Sequence, residues 1–261
     1  MKACPLLAVL ATALWCQGTE QRPEYVINFT TTPPVIDGQL ADPAWAEASE
    51  MVLEFPWSEQ TGARQRTRVK LLWDGQKIYA AFAVADRDIV AAHEHRDDPT
   101  YEDDAIELFL NPFPQRNSYV GLEINARGVL YDYLSVHGDK LYPNYDLKQV
   151  ELATSITGTL NKSDDVDEGW TVELAIPLSN LIDKWDRARV EAGTVWTVNA
   201  SRWDGREPDR AFSIWSNSGL KHPSPHAPGR FGRLIFARAG GGGAAAAPRA
   251  GAGHSGDATQ R

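Results

Sequence analysis

From residue 25 to residue 236 the chain is a succession of short segments in which apolar and polar side chains alternate. Gly, Asp, Asn and Pro separate them. A repeat of two is the side-chain period of a β-strand and excludes a helical reading of the same segments. The alternation predicts strands at 25–29, 68–73, 78–85, 105–110, 118–125, 129–136, 150–156, 169–176, 194–203 and 231–236. Asp74-Gly75-Gln76 joins the second and third as a hairpin turn. Helix is confined to two short pieces. In one, Asp42 caps a turn with Pro43 at its first position and Trp45 turned to the core; in the other, Pro177 opens 178–182. Many short strands with so little helix predict an all-β chain folded as a β-sandwich, with one domain over 24–237.

The ends carry a different chemistry. Lys2, the apolar run 5–14 and the small residue Gly18 read as an export signal over residues 1–18, too short to span a bilayer as a permanent helix. Cys16 offers a lipid anchor as the alternative, with bulky Trp15 standing where such a signal favours a small residue. Both cysteines, Cys4 and Cys16, fall within this segment, so the mature domain is expected to lack thiols for disulfides or metal ligation. Periplasmic or extracellular localisation follows. No other segment is long and apolar enough for a membrane helix. Residues 239–261, rich in Gly and Ala, have nothing to bury and are expected to be disordered. A net charge of −9 argues against a nucleic-acid partner. Nine tryptophans are enough that some rings are expected to serve a surface.

The stretch with most chemistry is 101–112, YEDDAIELFLNP. With Ile106, Leu108 and Leu110 facing a core, Glu107 is held on the opposite face, a few residues after Tyr101. A fixed carboxylate beside an aromatic ring suits a sugar, whose hydroxyls need acceptors and whose apolar face needs a flat surface. The alternative is an edge strand whose acids only solvate it. In the next strand Glu123 lies with Tyr119 and Asn125, opposite Val120, Leu122 and Ile124. Asp132 sits among Leu130 and Leu134, so it needs a partner, as hydrogen-bond hub or metal ligand. Asp86 and Asp88 fall short of a complete calcium loop. His93 and His95 have no third zinc ligand placed nearby.

Several segments taken together resemble the carbohydrate-binding module family 9 type. They are VIDGQLADPAW at 35–45, IYAAFAVAD at 78–86, YEDDAIELFLNP at 101–112, YVGLEINARGVLYD at 119–132, GWTVELAIPL at 169–178 and PHAPGRFGRLIF at 225–236. The resemblance implies an immunoglobulin-like or jelly-roll (DOMON-like) sandwich that binds sugars of plant polysaccharides without catalysis, often attached to glycoside hydrolases. It implies a sugar clamped between two aromatic rings, with Tyr101 where the first stands and Trp215 as the second. It makes Glu107 the carboxylate, with Asn199 and Arg202 similar to polar groups on the neighbouring strand. No cofactor is required; structural calcium is a feature of the family. Two other functions are weighed. One is glycoside hydrolysis by Glu107 and Glu123, although no nucleophile motif such as G-x-S-x-G is present. The other is haem-dependent electron transfer, for which axial ligands are sparse: Met51 is the only internal methionine and the histidines sit mostly in loops.

Overall fold

In a computed structural model the residues described are 22–137, 140–182 and 190–238. The segments read as export signal and terminal tail lie outside them. Thirteen strands follow in order: β1 (Glu24–Phe29), β2 (Met51–Val52), β3 (Thr67–Trp73), β4 (Lys77–Ala85), β5 (Ala105–Asn111), β6 (Tyr119–Asn125), β7 (Leu130–Val136), β8 (Lys140–Tyr142), β9 (Glu151–Thr157), β10 (Gly169–Pro177), β11 (Val195–Asp204), β12 (Ala211–Ile214) and β13 (Gly232–Phe236). Three were not foreseen, β2, β8 and β12. Each has four residues or fewer, too short for a period to declare itself.

Two sheets face each other. One runs β8-β7-β6-β5-β11-β13-β1, with β12 beside β11; the other runs β1-β3-β4-β10-β9, with β2 beside β3. β1 belongs to both. Its first residues pair in parallel with β13, and Asn28 and Phe29 then pair in parallel with β3. The corner strand thereby closes one side of the sandwich. Ile106, Leu108 and Leu110 meet Trp170, Val172, Leu174 and Ile176 in one core between the sheets, as alternation requires.

The two predicted helical pieces are 3-10 turns, Pro43–Glu47 and Leu178–Asn180. Asp42 makes no side-chain cap to the first. That turn is held by a carboxylate from the neighbouring strand: Glu173 accepts from Trp45 Nε1 (2.7 Å) and from the backbone N–H groups of Asp37 (3.0 Å) and Gly38 (2.9 Å). The 35–45 and 169–178 motifs are therefore two halves of one fastening.

Candidate functional site

The outer face of the first sheet carries a row of side chains directly opposite one another across four strands: Ser201 on β11, Glu107 on β5, Glu123 on β6 and Tyr131 on β7. The next row is Asn199, Phe109, Gly121 and Tyr133. Here the face is flanked by β8, by the loop 215–230 and by the turn Thr100–Glu102, which bound a half-open cavity of about 270 Å³. Its lining includes Tyr101, Glu107, Glu123, Tyr131, Tyr133, Trp203, Arg210 and His226.

Local chemistry sets each of these. Gly121 is required beneath Tyr133, because a Cβ there would stand 2.5 Å from the ring. Glu107 accepts from Ser201 Oγ and from Trp203 Nε1 (3.1 Å), which pins the half-buried indole against the cavity. The Arg210 guanidinium lies 4.4 Å from the Trp203 ring and donates to the carbonyls of Tyr101 and Asp103, tying one wall to the other. Tyr101 is 41% exposed and packs edge-on to Tyr131, with ring centroids 6.0 Å apart. His226 meets the Tyr119 hydroxyl through Nδ1 at 2.8 Å, and burial lowers its pKa.

The acids are held under tension. Burial pushes the Glu107 carboxyl up to about 7, against the opposing pull of Ser201, Trp203 and Arg210. Burial, and then the neighbouring Glu107 charge, drive Glu123 well above the ordinary carboxylate range.

Of the residues expected at a sugar site, Tyr101 and Glu107 come together at this cavity. The other three do not line it, and each absence has a physical reason. Arg202 points between the sheets, 1% exposed, where it pairs with Asp86 (2.9 Å) and Asp204 (3.0 Å) and donates to the Ala85 carbonyl. It ties the sheets together. Asn199 lies on the outer face, but its amide is fully engaged by the backbone of Ser216, donating to its carbonyl and accepting from its N–H, both at 2.9 Å. It anchors the loop that roofs the cavity. Trp215 lies against the Gly232 backbone, where a Cβ would stand 2.2 Å from the ring, and packs on the main core.

The indole that lines the cavity is that of Trp203. Its parity was available: Asn199 and Ser201 point outward, so residue 203 does too, and residue 202 points in. Arg210 had no such signal, because it is brought in by a loop.

Two groups of carboxylates place oxygens within 4.8 Å of one another: Asp86, Asp104 and Asp204, all buried, and Asp97, Asp132 and Asp146. In the first, Arg202 pairs with Asp86 and Asp204, and Asp104 rises to about 7 through burial and the charges of Asp86 and Asp204. Oxygen-only donors with surplus negative charge suit calcium. In the second, Asp132 accepts from Arg96 and from the Leu147 N–H (2.6 Å), so it serves as a hydrogen-bond hub. His93 and His95 pair with Asp103 and Asp98 respectively. Met51 is buried in the main core.

Among the described residues no helix is long and apolar enough to cross a membrane. Comparison with known proteins gives a consistent picture. Among solved structures, a putative carbohydrate-binding protein from Bacteroides uniformis ATCC 8492 superposes with a TM-score of 0.68 at 18% identity, over 83% of this chain and 100% of that one. A carbohydrate binding module family 9 from Caldicellulosiruptor kristjanssonii in complex with cellotriose gives 0.59 at 16% identity, over 87% and 100%. A carbohydrate binding module family 9 from Caldicellulosiruptor kristjanssonii in complex with glucose gives 0.58 at 16% identity, over 83% and 97%. At such identities these matches establish the sandwich fold. No curated protein matches. The family described as "Carbohydrate family 9 binding domain-like" matches residues 36–237, most of the chain, and the protein belongs to that family.

Proposed function

We propose that the chain binds one sugar unit of a plant-type polysaccharide in the cavity beneath the 215–230 loop, reversibly and without chemistry. The observation that carries this reading is the row Ser201–Glu107–Glu123–Tyr131, which sets carboxylate acceptors on rigid backbone in a cavity that the Tyr101 and Trp203 rings also line. At about 270 Å³ the cavity lies just under the range of roughly 300–1,000 Å³ typical of drug-sized ligands, a size for one ring and not for a chain laid along the surface. Solved family 9 modules in complex with cellotriose and with glucose support the ligand class.

Tyr101 and Trp203 supply apolar contact for the sugar ring. Glu107 and Glu123 accept from hydroxyls, and Arg210 keeps the walls in register. Because each such bond replaces one to water, the expected affinity is millimolar to micromolar, about −4 to −8 kcal/mol. Calcium, when bound, would be held by Asp86, Asp104 and Asp204, where it would balance buried charge without touching the sugar. Export through residues 1–18 and work beside a glycoside hydrolase complete the proposal, in support of carbohydrate breakdown. Isothermal titration with glucose, cellobiose, cellotriose and xylo-oligosaccharides tests it. Binding that is lost in Trp203→Ala is expected; heats indistinguishable from dilution for every sugar would refute it.

A further inference from the structure

The acceptors of this cavity are unequally served. Glu107 has both oxygens engaged, and Arg210 is the cation that acts on it. Glu123 is 3% exposed and Tyr133 1%; the Tyr133 hydroxyl lies near enough to Glu123 to lower its pKa, yet among the described residues neither Glu123 Oε2 nor that hydroxyl has a hydrogen bond of ordinary geometry. Both residues line the cavity. The titratable and charged groups around Glu123 are Glu107 on β5, Tyr119 on its own strand, Tyr131 and Tyr133 on β7, and Arg210 and His226 from the covering loops. None supplies it with a cation. Arg210 donates to two backbone carbonyls, and His226, its pKa lowered by burial, meets Tyr119.

A neutral hydroxyl can meet Glu123 only while the buried carboxyl keeps its proton. An ammonium satisfies the oxygen and cancels the charge, and phenol faces attract a cation. Tyr101 and Tyr131 bring two such rings to the same wall. Resting on the sugar-binding reading above, we propose that the preferred occupant is an amino sugar, a sugar unit whose protonated amine donates to Glu123 Oε2 and to the Tyr133 hydroxyl oxygen. Glu107 and Trp203 then serve the rest of the ring. In the ligand-free protein, burial beside Glu107 leads Glu123 to hold a proton instead, and the ammonium takes that proton's place. Binding of the amine therefore releases a proton that binding of glucose does not.

Titration calorimetry of the full chain near pH 7 compares glucose with 2-amino-, 3-amino- and 6-amino-deoxyglucose, in two buffers of different ionisation enthalpy. At least one aminoglucose is expected to bind tenfold or more tightly than glucose, with release approaching one proton. N-acetylation, or the isosteric Glu123→Gln with an unchanged circular dichroism spectrum, is expected to remove the advantage. Glucose binding as tightly as every aminoglucose would overturn this inference and leave the sugar site standing. An amine advantage undiminished in Glu123→Gln would overturn the assignment to that carboxyl. Silence from all four sugars and from cello-oligosaccharides would overturn both readings together.

Discussion

Replacing Glu107 with Gln separates what this carboxyl does for the fold from what it does for the ligand. The side chain is 1% exposed, and its pKa rises from 4.5 to about 7 because burial outweighs the bonds from Ser201 and Trp203. Below pH 4.5 the group is protonated whether the chain is folded or not, and it costs nothing. Between pH 4.5 and 7 the unfolded chain gives up its proton while the folded one keeps it, so stability falls as pH rises and levels off above 7. The interval corresponds to about 3 kcal/mol. Since Glu107 and Glu123 titrate as a pair, the slope belongs to both. Gln at 107 removes the ionisable group and keeps an acceptor for Trp203, at a loss of about 1 kcal/mol for a bond no longer charge-assisted. Urea denaturation is therefore expected to show the variant about 2 kcal/mol more stable than the parent at pH 8, and no more stable at pH 4. Sugar affinity is expected to fall tenfold or more in the same protein. A variant that keeps the parent's pH slope, or gains stability without losing affinity, would refute the reasoning.

Other perturbations divide along the same lines. Trp203→Ala is expected to abolish measurable sugar binding, whereas Trp215→Ala is expected to lower stability by ~3 kcal/mol and leave affinity within twofold; titration and thermal melts distinguish them. Glu173→Ala strands the Trp45 indole N–H and the N–H groups of Asp37 and Gly38, so a loss of about 3 kcal/mol without change in sugar affinity is expected. Gly121→Val drives a side chain into the Tyr133 ring, and both melting temperature and affinity are expected to fall. Calcium at a hundredfold excess over its dissociation constant is expected to add about 2.7 kcal/mol to the parent and nothing to Asp104→Asn.

The sandwich was legible because alternation is set by backbone geometry. Ile106, Leu108 and Leu110 were bound to face one way and Glu107 the other once β5 existed, and the core shows them so. The cavity was legible where it lies on that strand, just before it or on the next strand, at Glu107, Tyr101 and Glu123. Trp203 was within reach of the same rule. Family likeness and aromatic character drew attention to Trp215, although parity along β11 pointed to its neighbour twelve residues earlier. Arg202 shows the converse placement. A charged residue near a strand exit suggests a ligand contact, yet its even position places it between the sheets with Asp86 and Asp204. Arg210, Tyr133 and His226 required the tertiary fold. A loop register, a glycine under a ring and a roof of prolines cannot be read from local period.

The indole N–H of Trp203 donates to Glu107 at the floor of the cavity, so it reports occupancy there more directly than any other group. A proton–nitrogen correlation spectrum resolves the indole signals separately, with Trp203 assigned by its loss in Trp203→Phe. On titration with glucose or cellotriose the Trp203 signal is expected to shift in a saturable manner while that of Trp215 stays in place. A static Trp203 signal beside a moving Trp215 signal, or a spectrum that no sugar changes, would contradict the account.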